Sequence, residues 1–170
     1  MRVAAFLVVA VVALAGCTAA PAEPENSNPP EAPAAPPSLE DQYLSTAVTS
    51  GKSKNLADML VTLERVGWYG SETPKLRADI SVKNTGASAD VFSFANASLS
   101  TDSWTYPLAG AYVDGAQVTE MLLEQFETRE ARLLYNFVPY TVTGPVLVTV
   151  GSAAAPGTGY PVLFSFSHDL

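Results

Sequence analysis

Residues 76–83 alternate apolar and polar side chains without a break, and this pattern limits what the chain can fold into. Leucine, alanine, isoleucine and valine occupy the even positions, and charged or hydroxyl side chains occupy the odd positions. A period of two is typical of a β-strand with one face in the core and one face in solvent. Asn84-Thr85-Gly86 follows at once and has turn chemistry. The pattern therefore predicts a half-buried strand that ends near residue 84.

Seven other segments have the length and composition of strands. Residues 131–137 show a second regular alternation, which Pro139 stops. Turn signals such as Asp114-Gly115 and Gly144-Pro145 separate several of the segments. Short strands at this spacing are typical of an all-β fold, an antiparallel β-sandwich, and we predict one such domain over residues 39–170. The seven segments are 59–66, 91–94, 97–100, 104–108, 131–138, 146–150 and 162–166.

Two segments do not follow this pattern. Residues 118–134 are rich in glutamate, leucine, methionine, glutamine and arginine, which favour helices. Their apolar positions keep to one helical face only as far as residue 126. We therefore predict a strand at 129–138 and one short helix near 119–126 as the alternative for the first part. Residues 39–55 are mostly polar and fit either a short helix or an unstructured lead-in.

The N-terminus has the features of an export signal. A single basic residue, Arg2, is followed by an unbroken apolar run at residues 3–15. The run is shorter than the roughly 20 apolar residues of a transmembrane helix and matches a signal peptide. It ends in Leu14-Ala15-Gly16-Cys17, which resembles the lipobox of bacterial lipoproteins. The resemblance implies a signal peptide of residues 1–16, cleavage before Cys17 and lipid on the sulfur of that cysteine.

Residues 18–38 form a proline-rich linker with seven prolines, three glutamates and no large apolar residue. Such a segment cannot bury enough apolar surface to offset the entropy that ordering costs. Proline favours the extended polyproline II conformation, at about 3.1 Å per residue, so the linker would reach ~60 Å. We predict a disordered spacer that holds the domain away from the membrane. A proline-rich ligand for a partner domain is the alternative.

The chain is acidic, with a net charge of −8. Binding to nucleic acid is dominated by lysine and arginine side chains that neutralise phosphates, so the charge argues against that class of partner. It also argues against a basic patch for anionic lipid. We expect the membrane contact to be the covalent lipid on Cys17. The other expected partner is a protein or another component of the cell envelope.

Histidine and cysteine are too scarce for the common catalytic and metal sites. His168 is the only histidine and Cys17 the only cysteine, whereas zinc sites use three or four protein ligands. The sequence has no Gly-x-Ser-x-Gly nucleophile motif and no Gly-x-x-x-x-Gly-Lys phosphate-binding motif. We interpret His168 as an exposed residue at a strand end, and Met59 and Met121 as core residues. The sequence predicts no enzyme, no bound metal and no cofactor.

One group of carboxylates has a chemical alternative. Glu120, Glu124, Glu127 and Glu130 cluster in the ambiguous segment, where two of them would serve a glycosidase if their separation were fixed. A run of charge is more often a solvated surface. We therefore predict that these four glutamates face solvent.

Four aromatic residues are candidate contacts for a partner: Trp68, Tyr69, Trp104 and Tyr106. Trp68 and Tyr69 are adjacent, so on a strand they point to opposite faces and one of them lies outside the core or at its rim. Trp104 and Tyr106 are two apart and would share a face. Tyrosine and tryptophan are enriched among residues that anchor interfaces. Packing in the core is the alternative for each of the four.

The strand at 76–83 and the segment 127–139 resemble the telokin-like, immunoglobulin-like domains of Gram-positive bacterial lipoproteins. In those domains a strand ends in an Asn-Thr-Gly-like turn, as at residues 84–86, and a charged turn precedes a strand that closes in Val-Pro, as at Val138-Pro139. Residues 142–145, Val-Thr-Gly-Pro, also resemble the secreted immunoprotective antigen family of mycobacteria. The resemblance covers roughly residues 56–167. It implies an immunoglobulin-like β-sandwich of unassigned molecular function, with no catalytic residues to transfer.

These observations favour a non-enzymatic binding or interaction module, displayed at the cell surface on the extracytoplasmic face of the cell membrane. The alternative is a carrier of a small molecule or ion that serves as accessory protein to a membrane transporter. A carrier is expected to have a concave apolar pocket with a few convergent polar groups. A binding module is expected to present a flat surface or the edge of a sheet.

Overall fold

The computed structural model describes residues 35–70, 73–136 and 138–170. The predicted signal peptide, Cys17 and most of the predicted linker lie outside these residues. Pro36–Leu170 form one compact unit with one helix, α1, and eleven strands, β1 to β11. Their bounds are α1 Leu39–Thr46, β1 Val48–Leu56, β2 Met59–Tyr69, β3 Lys75–Asn84, β4 Asp90–Ser93, β5 Ser98–Ser100, β6 Thr105–Val113, β7 Ala116–Val118, β8 Glu120–Leu123, β9 Thr128–Asn136, β10 Pro145–Ala154 and β11 Pro161–Asp169.

Helix α1 begins at a capping box. The Ser38 hydroxyl accepts from the Asp41 backbone N–H at 3.1 Å, and the Asp41 carboxylate accepts from the Ser38 N–H at 3.1 Å. These bonds satisfy donors that the first turn of a helix leaves unpaired, and such a cap contributes about 1 kcal/mol. The segment that the sequence left open at 39–55 is therefore a short helix followed by strand β1.

The strands form two antiparallel sheets. Sheet A has the order β1-β2-β3-β9-β6, with β7 beyond β6. In sheet B, β10 pairs with β11 on one side and with β5 and β4 on the other, and β8 lies beyond β4. Strand β6 belongs to both sheets, because its beginning pairs with β5 and its later part pairs with β9. The expected all-β, antiparallel sandwich is confirmed.

The core lies between the two sheets. The even positions of β3, Leu76, Ala78, Ile80 and Val82, are all buried, as their alternation predicted. Sheet B contributes valines from β10 and phenylalanines from β4 and β11 to the same cluster. Met59 and Met121 are buried in it, which confirms them as core residues.

The helix considered near 119–126 is wrong. Residues Ala116–Val118 and Glu120–Leu123 form strands β7 and β8, and β8 pairs with β4. Met121 and Leu123 are buried while Glu120 and Leu122 are exposed, which is the period of a strand. Pairing with β4 and burial of two large side chains outweigh the helix propensity of the segment. The strand predicted at 129–138 is confirmed over Thr128–Asn136.

Candidate functional site

A groove of about 650 Å³ lies on the outer face of sheet A. Its floor is formed by β2, β3, β9 and β6. Glu40 of α1 lies on one side and Asp114-Gly115, in the turn between β6 and β7, lies on the other. Most of its lining residues are charged. We call it the sheet A groove.

Arg77 is the centre of this groove and is buried, with its side chain 4% exposed. Its Nε donates to Asp79 Oδ1 at 2.7 Å and its Nη2 donates to Asp79 Oδ2 at 3.0 Å, a bidentate pair on one strand. Its Nη1 donates to Glu40 Oε2 of α1 at 2.6 Å. Charge-assisted bonds of this kind are about twice as strong as neutral ones. Arg77 therefore fastens α1 to the sheet.

Tyr43 of α1 completes the cluster. The Arg77 guanidinium lies 3.9 Å from the centre of its ring, and the Tyr43 hydroxyl donates to Asp79 Oδ2 at 2.9 Å. Burial, and then the neighbouring Asp79 charge, raise the pKa of Tyr43 above its ordinary value. Burial alone would lower the pKa of Arg77, but its bonds to Asp79 and Glu40 raise it overall. The Arg77 hydrogen bond lowers the pKa of Glu40.

The contact between α1 and β2 requires glycine at position 67. A Cβ atom there would lie 2.6 Å from the Ala47 Cα, closer than such atoms approach. The backbone N–H of the next residue, Trp68, donates to the Thr46 hydroxyl at 3.1 Å. The end of the helix is thus held against the strand by backbone contact.

Two further arginines flank Asp79 across the floor of the groove. Arg65 of β2 and Arg132 of β9 are the register partners of Asp79, one on each side. Both are exposed, and the ion pairs of the described residues involve Arg77 and Arg129 instead. Two strand spacings of about 4.8 Å separate their backbones, so they lie roughly 10 Å apart. Their guanidinium groups are exposed to solvent.

Acidic side chains surround this arginine pair. Glu64 accepts from the Ser81 hydroxyl at 2.7 Å, and Glu130 is the register partner of Ser81. Asp114 binds Arg129 beside the groove at 2.5 Å. Of the four arginines of residues 35–170, Arg65, Arg77 and Arg132 line the groove, whereas Arg129, the register partner of the buried Val82, reaches its margin only through Asp114. The sheet A groove therefore presents charges of both signs to solvent.

The four aromatic candidates do not form one surface. Trp68 packs against the core and its ring lies 5.0 Å from that of Tyr140. Tyr69 is on the other face, 5.9 Å from the Arg77 guanidinium, so the expected opposite orientation is confirmed. Trp104 precedes β6 and is 71% exposed, whereas Tyr106 packs against the core.

The interpretation of His168 as exposed is wrong. It lies in β11 opposite Val146 and is 4% exposed. Burial, and then the charge of Lys52, lower its pKa. Its Nε2 has no hydrogen-bond partner among the residues the structure describes. The alternation of β11 sets His168 on the inner side, although it is near the chain end.

The remaining candidates are placed as follows. Glu120, Glu124 and Glu130 are exposed, and the carboxylate of Glu127 accepts from the Glu124 N–H at 2.8 Å. Over residues 35–70, 73–136 and 138–170, no three histidine, cysteine, aspartate or glutamate side chains are grouped to hold a metal ion. In the same residues no helix is both long and apolar enough to cross a membrane. Cys17 is not among them.

Sequence reasoning missed the residues of the sheet A groove. The odd positions of 76–83 indicated a polar side of the strand. The same alternation predicted that this side, including Arg77, is exposed to solvent. The only further signal in the sequence is the share of arginine: of the nine basic residues, only four are lysines. The contact of Arg77 with Glu40 joins residues 37 positions apart, which no local pattern reveals.

Comparison with known proteins supports the fold. No family model and no curated protein matches the sequence. The structure is similar to the crystal structure of ycdA from Bacillus subtilis subsp. subtilis str. 168, a protein assigned as a lipoprotein, with a TM-score of 0.52 and 12% sequence identity. The likeness covers 71% of this chain and 39% of the ycdA chain. The resemblance to the mycobacterial antigen family stays a prediction.

Proposed function

We propose that this protein is a lipoprotein of the cell envelope, anchored through Cys17 on the extracytoplasmic face of the membrane, whose sandwich domain binds another protein. The lipobox-like residues 14–17 and the apolar run before them support the anchor. The fold shared with ycdA, itself assigned as a lipoprotein, is in keeping with it. The domain acts by binding and not by catalysis.

The observation that carries the binding role is the arginine pair of the sheet A groove. Arg65 and Arg132 lie on the two strands that flank Asp79. The carboxylate of Asp79 already accepts hydrogen bonds from Arg77 and Tyr43. Arginine forms bidentate bonds with carboxylates and is enriched at interface anchors. Glu64 and Glu130 beside them suit basic groups of the same partner. A protein segment of mixed charge matches this surface.

The alternative, a small-molecule carrier, has less support. Carrier pockets are predominantly apolar and enclose most of their cargo. The sheet A groove is open to solvent along a sheet face and its lining is largely charged. These properties favour a macromolecular partner over an enclosed cargo.

Crosslinking at the surface of intact cells tests the proposal. The wild-type chain is compared with Arg65→Ala/Arg132→Ala and with Lys75→Ala/Lys83→Ala. The second variant removes the same charge from the ends of β3, outside the groove. Loss of two charged contacts of roughly 1 kcal/mol each should reduce recovery of the crosslinked partner by at least about tenfold in the arginine variant only.

Two results would contradict the groove as the binding site. Equal recovery with the arginine variant would place the partner on another surface. An equal loss in both double variants would show that net charge, and not the arginine pair, governs the interaction.

A further inference from the structure

The outer face of sheet B differs in chemistry from the outer face of sheet A. Its positions, which alternate with the buried residues of β10, β11, β4, β5 and β8, hold serine, threonine, proline, alanine, leucine and valine. Among the described residues at these positions, charge occurs only at two margins, Glu120 in β8 and Asp169 at the end of β11. In a chain with a net charge of −8, this face thus carries charge only at its margins.

This face also exposes large aliphatic side chains. Leu147 is 46% exposed, Leu163 50%, Val91 39% and Leu122 53%. Val91 and Leu122 are register partners, so their side chains lie side by side. Tyr160, 76% exposed, precedes β11 at the same end as Leu163. Val91, Leu122, Leu163 and Tyr160 lie toward one end of the face and Leu147 toward the other. Exposed apolar side chains on a sheet face mark interaction surfaces.

Several hydroxyl groups of the face already have hydrogen-bond partners. Ser100 and Thr105 are 3.0 Å apart, and Thr149 and Ser165 are 2.8 Å apart. Burying these hydroxyl groups would therefore leave few donors or acceptors unpaired, and the free-energy cost of desolvation would be small. Burial of the face against another uncharged surface would therefore cost few hydrogen bonds.

We propose that this face pairs two copies of the chain on the same membrane, each presenting the same surface across a two-fold axis. A second copy brings an uncharged surface of the same composition, whereas contacts between the other faces would set acidic side chains against each other. The outer face of sheet A is an example of such a face, because it holds Glu64 and Glu130. The sheet B face thus suits self-association and leaves the sheet A groove open.

The face is small, so its pairing would depend on both copies being anchored in one membrane. Seven residues of β11 at about 3.3 Å each span roughly 20 Å, and four strands at about 4.8 Å span nearly as much. Each copy would bury about 400 Å², half of what a standard interface buries. Such a pair is weak in free solution. Anchoring both copies to one membrane raises their effective concentration, so this inference rests on the proposed lipid on Cys17.

Single cysteine substitutions in the full chain test the pairing in membranes. Lipidation would occupy the sulfur of Cys17, the only native cysteine, so the introduced thiol is the one that reacts. A short thiol crosslinker should join Leu163→Cys or Leu147→Cys copies into dimers. It should not join Lys83→Cys copies, because Lys83 is an exposed residue on the outer face of sheet A.

A charge in the face should abolish the pairing. Leu147→Glu placed in the Leu163→Cys chain should reduce the dimer yield by at least about tenfold, since pairing would bury an unpaired charge against the uncharged surface of the other copy. Leu147 is half exposed, so this substitution should leave the core intact. Circular dichroism of the variant is the control for its fold. An unchanged dimer yield, or equal yields from Lys83→Cys, would overturn the pairing.

Fatty-acid labelling of the same samples separates this inference from the proposed function. Labelled chains that give no dimer through Leu163→Cys would overturn the pairing and leave the anchor standing. Unlabelled chains would overturn both the anchor and pairing on the membrane. Dimers that form through Leu163→Cys would support the pairing. If the Arg65→Ala/Arg132→Ala variant still yields its crosslinked partner in the same experiment, the sheet A groove is overturned as the binding site.

Discussion

Replacing Arg77 with methionine should destabilise the domain strongly for a residue on an outer sheet face. The change keeps most of the apolar stem but removes the two bonds to Asp79 and the bond to Glu40. Glu40 has a side chain 45% exposed, so it returns to water and its ion pair contributes less than about 1 kcal/mol. The cost therefore depends mainly on Asp79.

Asp79 would be left half-buried and charged. Removing one partner of a buried pair costs about 3–5 kcal/mol. The Asp79 side chain is 21% exposed and retains the hydrogen bond from Tyr43, which places the loss near the lower end, at about 3 kcal/mol. Arg132→Met is the matched control: it lies on the same face but is exposed, so its effect should stay within about 0.5 kcal/mol.

Urea denaturation of a fragment of residues 36–170, followed by circular dichroism, measures these losses through the midpoint at constant slope. The double variant Arg77→Met/Asp79→Asn removes both charges and keeps an acceptor for the Tyr43 hydroxyl. It should recover about 1–2 kcal/mol relative to Arg77→Met. A loss below about 1 kcal/mol for Arg77→Met, or a double variant no more stable than the single one, would refute the stranded-charge argument.

Three further predictions concern the anchor, the core and pH. Cys17→Ala should lose incorporation of a fatty-acid probe and leave the membrane fraction or accumulate as precursor; label on the variant would contradict lipidation. Ile80→Asp puts a charge where the native side chain is 1% exposed, so circular dichroism should show an unfolded chain, at a cost above about 4 kcal/mol. Because burial lowers the pKa of His168 below 6.5, the stability it contributes is complete above that pH and is lost as the pH falls toward the folded-state pKa. The melting temperature of His168→Phe should accordingly fall less between pH 7.5 and about pH 5 than that of the wild type, and parallel curves would count against this role.

Local patterns in the sequence determined most of the strands and many of the residues that face the core. The alternation of 76–83 identified β3 and its buried even positions, because a period of two is a property of any extended chain with one buried face. The same reasoning located β9, β10 and β11. It was less able to place β8, where helix-forming residues pair with an earlier strand, Leu122 with Val91 and Leu123 with Asp90.

The candidate site was decided by tertiary structure alone. A single strand shows which side chains share a face, but not what will cover that face. Arg77 is buried because α1 lies over it. His168 is buried because it points to the inner side of the sandwich, although it lies only two residues before Leu170. Arg65 and Arg132 flank Asp79 only through the register of three strands. Such contacts join segments far apart in sequence, and their energies depend on distance and burial, which periodicity does not contain.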